Sequence, residues 1–383
     1  MHGGWTMSDR KHALLSPSAS HIWLNCPKSA RLSEDIPDQE TDYARQGTCA
    51  HNLCQYKLEK ALGLETQDPT STLEFHDNEM ESCSNDYASF VIETLEELRK
   101  TCKDPVVLIE QHLDFSQWVP EGHGYGDCIL VADKTVHVID YKHGEGILVE
   151  AQNNSQMMCY ALGAINLLDE LYEIDSVSMT IFQPRRQNVS TWTIPKDQLL
   201  EWAEKVLKPT ADLAFKGEGS FCAGEHCRFC RARNTCRARA EYNLELARYD
   251  FAMPDTLDDS EISGILGKVD ELVSWASDIK EYALKEALNG KHYEGFKVVA
   301  GRSTRKYTDD SQVATAVENA GYYPYEKTLL GITAMTRLLG KKKFEDILGD
   351  LVFKAPGKPA LVPETDKRPE LNSAITDFND TEV

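Results

Sequence analysis

The sequence predicts a mixed α/β protein of the α+β kind, with one central sheet flanked by helices and a helical C-terminal appendage. Three observations lead there. Two long segments near the start carry apolar residues at helical spacing. A run of short β-branched or alternating segments follows, and beyond residue 257 the strand signals give way to helical ones. In order, 40–63 is helical and stops at Gly63, and 78–100 is a second amphipathic helix ending before Asp104-Pro105. Segments 106–115, 125–132 and 135–142 have strand character, and Asp133-Lys134 suits a two-residue hairpin between the last two. Helical spacing returns over 151–168, a strand pair over 176–183 and 189–194, and a helix over 196–215.

After Phe215 the texture changes. Residues 217–224 form a loop, and 227–239 are rich in cysteine and arginine. Residues 261–288 read as one long helix or two, 297–307 as a basic strand-like piece, and 333–348 as short helices. The tail from 352 is rich in proline and charge, a composition expected to stay extended or disordered. The chain thus divides into a core domain over 1–248, a mainly helical accessory region over 249–351 and a tail over 352–383.

Of the 383 residues, 41% are hydrophobic and 27% charged, enough apolar material for a substantial core. Acidic residues outnumber basic ones by 62 to 41, giving a net charge of −21. That excludes a protein coated in basic charge, such as a DNA packer, but not an enzyme with one basic groove. No run of 18 apolar residues is present, and residues 1–16 lack the apolar stretch of a secretion signal. Eleven cysteines without an export signal read as reduced thiols plus a metal site, which places the chain in the cytoplasm and away from membranes.

Three consecutive elements deliver polar residues where core residues are expected. Gly124-Tyr125-Gly126-Asp127 opens one strand with Asp127, and the next ends in Asp140-Tyr141-Lys142. Residues two apart on a strand share a face, so Asp140 and Lys142 point the same way, and a hairpin brings Asp127 alongside. Two converging carboxylates repel unless a cation sits between them. Oxygen ligands that leave room for water suit Mg2+ or Mn2+, and a neighbouring lysine can orient or deprotonate the attacking water. His51 lies within the first long helix, and Gln156 and Tyr160 lie four apart on one face of the helix after Lys142.

Together these residues resemble the PD-(D/E)XK nuclease superfamily, in particular its RecB-like branch. The branch's motifs are a helix histidine, a G-x-x-D-like strand, a D-x-K strand and a Q-x-x-x-Y helix. The resemblance spans roughly residues 15 to 240. It implies that His51, Asp127 and Asp140 hold Mg2+ or Mn2+, that Lys142 works on the attacking water, and that Gln156 and Tyr160 position DNA or the lysine. Glu110, on the preceding strand, reads as a solvent-facing residue or at most an outer carboxylate.

A second constellation is Cys227-x2-Cys230-x5-Cys236, with Cys26 standing apart near the start. Three clustered ligands leave one position open, to be filled nearby by Cys222 or His226, or at a distance by Cys26. The split of one N-terminal cysteine and a C-terminal triplet resembles the iron–sulfur nucleases of the AddB and CRISPR-adaptation types. It implies a 4Fe–4S cluster on Cys26, Cys227, Cys230 and Cys236 that staples the ends of the domain, with Zn2+ as the alternative. The other seven cysteines (49, 54, 83, 102, 128, 159 and 222) read as buried small apolar residues.

Arg228, Arg231, Arg233, Arg237 and Arg239 fall within twelve residues that hold no acid, a phosphate-tracking rim in an otherwise acidic chain. Lys297, Arg302, Arg305, Lys306 and 341–343 either extend that groove or form a solvated face. Gly264-Ile265-Leu266-Gly267-Lys268 falls short of a phosphate-binding loop. A separate helicase or single-strand-annealing protein is therefore an expected partner. Phrases in 329–344 resemble an uncharacterised family of phage and prophage nuclease-like proteins. The expected function is a metal-dependent deoxyribonuclease acting on ends or single strands of DNA. The alternatives are a DNA-binding or scaffolding module that keeps the fold without cutting, and a zinc-stabilised adaptor.

Overall fold

The computed structural model describes residues 13–37, 41–245, 258–300, 308–325 and 330–352. Two short helices, α1 (Ser20–Asn25) and α2 (Ser29–Leu32), precede the long ones. Helix α3 (Asp42–Ala61) starts where the Thr41 hydroxyl accepts the Ala44 N–H, and α4 (Asn78–Leu98) where the Asp77 carboxylate accepts the Met80 N–H. Both caps satisfy amides that the first turn leaves without partners.

Strands β1 (Val106–Asp114), β2 (His123–Ala132) and β3 (Thr135–Tyr141) form an antiparallel meander. The hairpin between β2 and β3 turns on Asp133 and Lys134, whose φ values of 46° and 66° match the twist of the flanking strands. Helix α5 (Ser155–Leu168), capped by Asn154, crosses over to β4 (Ser176–Gln183), which therefore runs parallel to β3. Strand β5 (Asn188–Pro195) closes the five-stranded sheet antiparallel to β4, giving the order β1-β2-β3-β4-β5.

Next come α6 (Lys196–Trp202), a π-helical turn over Ala203–Leu207, and α7 (Lys208–Lys216). Pro209 accounts for the wide turn: it cannot donate, and its ring displaces the carbonyl four residues back. Helix α8 (Arg237–Leu244) follows the cysteine segment, then α9 (Asp259–Leu266) and α10 (Val269–Leu288). The mixed sheet flanked by helices is the fold expected from the sequence.

Alternation along the strands fills two cores. Val136 and Val138 of β3, with Met179 and Ile181 of β4, pack under α5 and α7. Ile139, Tyr141 and Phe182 pack on the opposite face against α3 and α4. The sheet thus lies between two helical layers.

The chain forms two compact units, Met1–Asn289 and Gly290–Val383. Helix α10 belongs to the first. Its Asp278 pairs with Arg239 at 2.5 Å and lies 3.6 Å from Arg233. The second unit holds α11 (Asp310–Asn319), α12 (Ile332–Leu339) and α13 (Lys341–Leu348), the last two joined at Gly340, where φ is 74°. The boundary expected after 248, and all but the first residue of the expected tail, lie outside the described residues. The strand expected over 297–307 is not formed over 297–300, where the chain is irregular; Arg302, Arg305 and Lys306 lie outside the described residues.

Candidate metal centre and cysteine cavity

The ladder between β2 and β3 ends at the pair Cys128 and Ile139. One step further, the strands part and their side chains take over. The Tyr141 N–H donates to Asp127 Oδ2 at 2.7 Å, so a carboxylate replaces the carbonyl that a regular ladder would supply. Asp127 Oδ1 lies 3.2 Å from His51 Nδ1 of α3. Asp140 is 3% exposed, and its Oδ2 is paired with Lys142 Nζ at 2.9 Å. Lys142 Nζ donates to Gln156 Oε1 at 3.1 Å, and Gln156 Nε2 donates to Tyr160 Oη at 3.1 Å. His51, Asp127, Asp140, Lys142, Gln156 and Tyr160 are therefore brought to one place by four elements.

Charge explains the poise of this site. Burial alone would lower the His51 pKa, but the Asp127 carboxylate, with Glu110 and Asp140 behind it, overrides that and raises it to about 9. Burial works against ionised Asp127 too, yet His51 and the Tyr141 amide hold its pKa below the ordinary range. Asp140 goes the other way. Burial, and then the nearby Asp127 charge, push its pKa up against the pull of Lys142. For Lys142, burial opposes the charged form, but Asp140 prevails and keeps the ammonium. Asp127 and His51 offer a carboxylate and a ring nitrogen that a divalent cation could join, while the buried Asp140 carboxylate next to them is neutralised by Lys142 and, contrary to expectation, is not in the close ligand group.

Glu110 belongs to this set, contrary to its reading as a solvent-facing residue. Ligand atoms of His51, Glu110 and Asp127 lie within 4.8 Å of one another. Glu110 stands opposite Asp127 between the register pairs Ile109–Cys128 and Gln111–Gly126, with φ at 48°. Here alternation breaks on both strands: a Cβ on Gly126 would meet Leu113 and Ile129, while Asp127 and Cys128 both face the α3 side. A left-handed backbone at a non-glycine residue costs of order 1–3 kcal/mol and persists where its surroundings impose it. Glu110→Gln is expected to weaken Mn2+ binding about tenfold, comparable to losing a supporting ligand, as measured by isothermal titration.

His143 adds a pH response beside the site. It is buried, it lies 2.8 Å from the Tyr141 hydroxyl, and burial, reinforced by Arg185, pushes its pKa down to about 4. The unfolded chain takes up that proton near pH 6.5 while the folded one stays neutral. Stability is therefore full above about 6.5 and falls as pH drops towards 4. Urea melts at pH 7 and pH 4.5 should show His143→Gln removing roughly 2 kcal/mol of that difference.

The second constellation also comes together. Cys26, Cys227, Cys230 and Cys236 line one cavity, with Ile22, Leu32 and Phe221 as apolar wall. Cys26 Sγ accepts the Cys222 N–H at 3.3 Å. Cys49, Cys54, Cys83, Cys128 and Cys159 are buried as expected, and burial pushes the thiols of Cys54, Cys128 and Cys159 up, which makes them inert. Cys102 and Cys222 depart from that expectation: Cys102 is half-buried, and Cys222 is exposed and sits on the cavity's edge. Among the arginines, Arg228, Arg231 and Arg237 are exposed, whereas Arg233 and Arg239 turn to Asp278.

The fold and site define a three-layer α/β protein with a histidine–carboxylate–lysine centre where the inner strands β2 and β3 part, and a separate cysteine-lined cavity. The chain belongs to the family described as "Protein of unknown function (DUF2800)", which it matches over residues 12–369. A solved structure titled "Crystal structure of SSO0001" is similar to it at 15% identity and a TM-score of 0.21, covering 50% of this chain and 98% of that one. Among the described residues, no helix is long and apolar enough to cross a membrane.

Proposed function

We propose that this protein is a metal-dependent deoxyribonuclease of the RecB-like PD-(D/E)XK kind, acting on DNA ends or single strands in phage or prophage recombination, replication or repair. The observation that carries the reading is the meeting of Asp127, Asp140 and Lys142 where β2 and β3 part, with the buried Asp140 Oδ2 paired to Lys142 Nζ at 2.9 Å. His51, Asp127 and Asp140, with Glu110, would hold Mg2+ or Mn2+, which when bound supplies Lewis-acid stabilisation of the phosphoryl and leaving oxygens. Lys142 Nζ, held as an ammonium, donates towards the attacking water or a phosphoryl oxygen. It can accept a proton only once the Asp140 charge is shared with a cation. Gln156 fixes the amine through its Oε1, and Tyr160 fixes the Gln156 amide. The water oxygen would form the new bond to phosphorus as the bond to the ester oxygen breaks, with the water's proton passing to bulk solvent and the ester oxygen leaving as a hydroxyl protonated from solvent.

Cys26, Cys227, Cys230 and Cys236, which line one cavity, would hold a 4Fe–4S cluster, with Zn2+ as the alternative on the same thiolates.

The test is incubation of anaerobically purified protein with end-labelled single- and double-stranded DNA in Mn2+ or Mg2+, beside Asp140→Ala. Degradation by the wild type alone supports the proposal. DNA binding without degradation would overturn it in favour of a non-cleaving module.

A further inference from the structure

A groove of about 900 Å3 runs between α1 and the cysteine segment, with His21, Phe229, Arg231 and His123 among its lining residues. Phe229 is 50% exposed and meets the His21 ring edge-on at 5.6 Å, with the Arg228 guanidinium 5.9 Å from its own ring. An exposed phenyl ring with a cation at its side costs solvation and does nothing for the core. It is, however, a surface on which a flat base can stack with its phosphate beside the guanidinium. Arg231 adds a second cation, anchored through the Ile36 carbonyl at 3.3 Å.

His123, which lines the groove, stands four residues before Asp127 on β2. His123 stacks on His112 at 5.6 Å, and His112 meets Tyr125 at 5.2 Å. By strand alternation His123, Tyr125 and Asp127 share one face of β2. Gly124 and Gly126, between them, point the other way: a Cβ on Gly124 would meet the Tyr160 ring at 2.8 Å. A row of rings therefore leads along β2 from the groove to Asp127. The Ser20–Ser155 hydroxyl contact at 2.6 Å ties the groove wall to the first turn of α5, next to Gln156.

We propose that this groove is a single-stranded DNA site in which an unpaired base stacks on Phe229, its phosphate lies beside Arg228 and Arg231, and the strand follows the His123–Tyr125 row to Asp127. The inference rests on the nuclease reading and specifies its substrate as an unpaired strand. Duplex DNA offers no open base face to Phe229, and a peptide would have no need of the arginines.

The test compares binding of a fluorescent oligo(dT), an abasic strand of the same length and a blunt duplex to the full chain without added divalent metal. Oligo(dT) should bind tighter than the abasic strand. Phe229→Ala should weaken oligo(dT) binding about tenfold, leave the abasic strand unchanged, and be rescued by Phe229→Trp. Equal weakening of both strands, no weakening, failure of Trp to rescue in a protein with a wild-type melting curve, or preference for the duplex would each overturn the proposal. Cleavage is read separately. Base-dependent binding without cleavage by the wild type sinks the nuclease reading and leaves the groove. Cleavage with no effect of Phe229→Ala on oligo(dT) binding sinks the groove and leaves the nuclease.

Discussion

Lys142→Met should lower DNA cleavage by about a thousandfold or more while raising, not lowering, the affinity for Mn2+. The two signs follow from one contact. Nζ lies 2.9 Å from Asp140 Oδ2, so the lysine competes with a cation for the same carboxylate. Removing its charge frees that oxygen for metal. It also leaves the reaction without its donor, and several kcal/mol of lost transition-state stabilisation is about a thousandfold in rate. The metal-free variant should be less stable than the wild type, because a buried carboxylate then stands without its counter-charge. Added Mn2+ should restore more of its melting temperature than it does for the wild type. Asp127→Asn makes the contrasting control, since it should lose cleavage and metal affinity together. Stopped-time cleavage assays with titration calorimetry on both variants measure this. A Lys142→Met protein that cuts within tenfold of wild type would remove the lysine from the chemistry.

Part of this site was legible in the sequence because β3 and α5 keep a constant period. Val136, Val138 and Ile139 alternate between two cores as a strand buried on both faces must, and that phase placed Asp140 and Lys142 together. Gln156 and Tyr160 obeyed helical spacing in the same way. Glu110 was not legible for the opposite reason. Its neighbours in Val106–Asp114 look regular, and counting by twos sets it on the wrong face, since nothing local announces the φ of 48° that reverses it. The arginine cluster shows a second limit. Arg233 and Arg239 sit among neighbours free of acid, yet their partner Asp278 lies about forty residues away on α10. Helices α1 and α2 are too short for any amphipathic period, and they fold because Trp23 and Ala30 join the core beside α5 and α7.

Cys227→Ser should have the largest effect on stability. Of the four proposed ligands, one comes from the end of α1 and three from beyond α7, so a group bound there would close a loop of some two hundred residues. Chain closure of that length stabilises by about 5 kcal/mol in the entropy model, and metal–thiolate bonds add folding free energy directly, on the order of 10 kcal/mol in small zinc modules. Part of this is offset in a domain that already has two apolar cores, so a fall in melting temperature of at least about 10 °C is expected. The loss should begin locally. Trp23 of α1 is buried, and its fluorescence should shift to the red before the sheet melts, while far-ultraviolet circular dichroism is still largely native. Brown protein absorbing near about 400 nm, bleached in Cys227→Ser, identifies iron–sulfur ligation; colourless protein with one equivalent of zinc would assign the same thiolates to zinc. Because the metal centre on β2 and β3 shares no residue with the cavity, the variant that remains folded at low temperature should still bind Mn2+ with wild-type affinity. A variant that keeps its melting temperature would show that the cysteines pack as ordinary apolar residues and hold nothing.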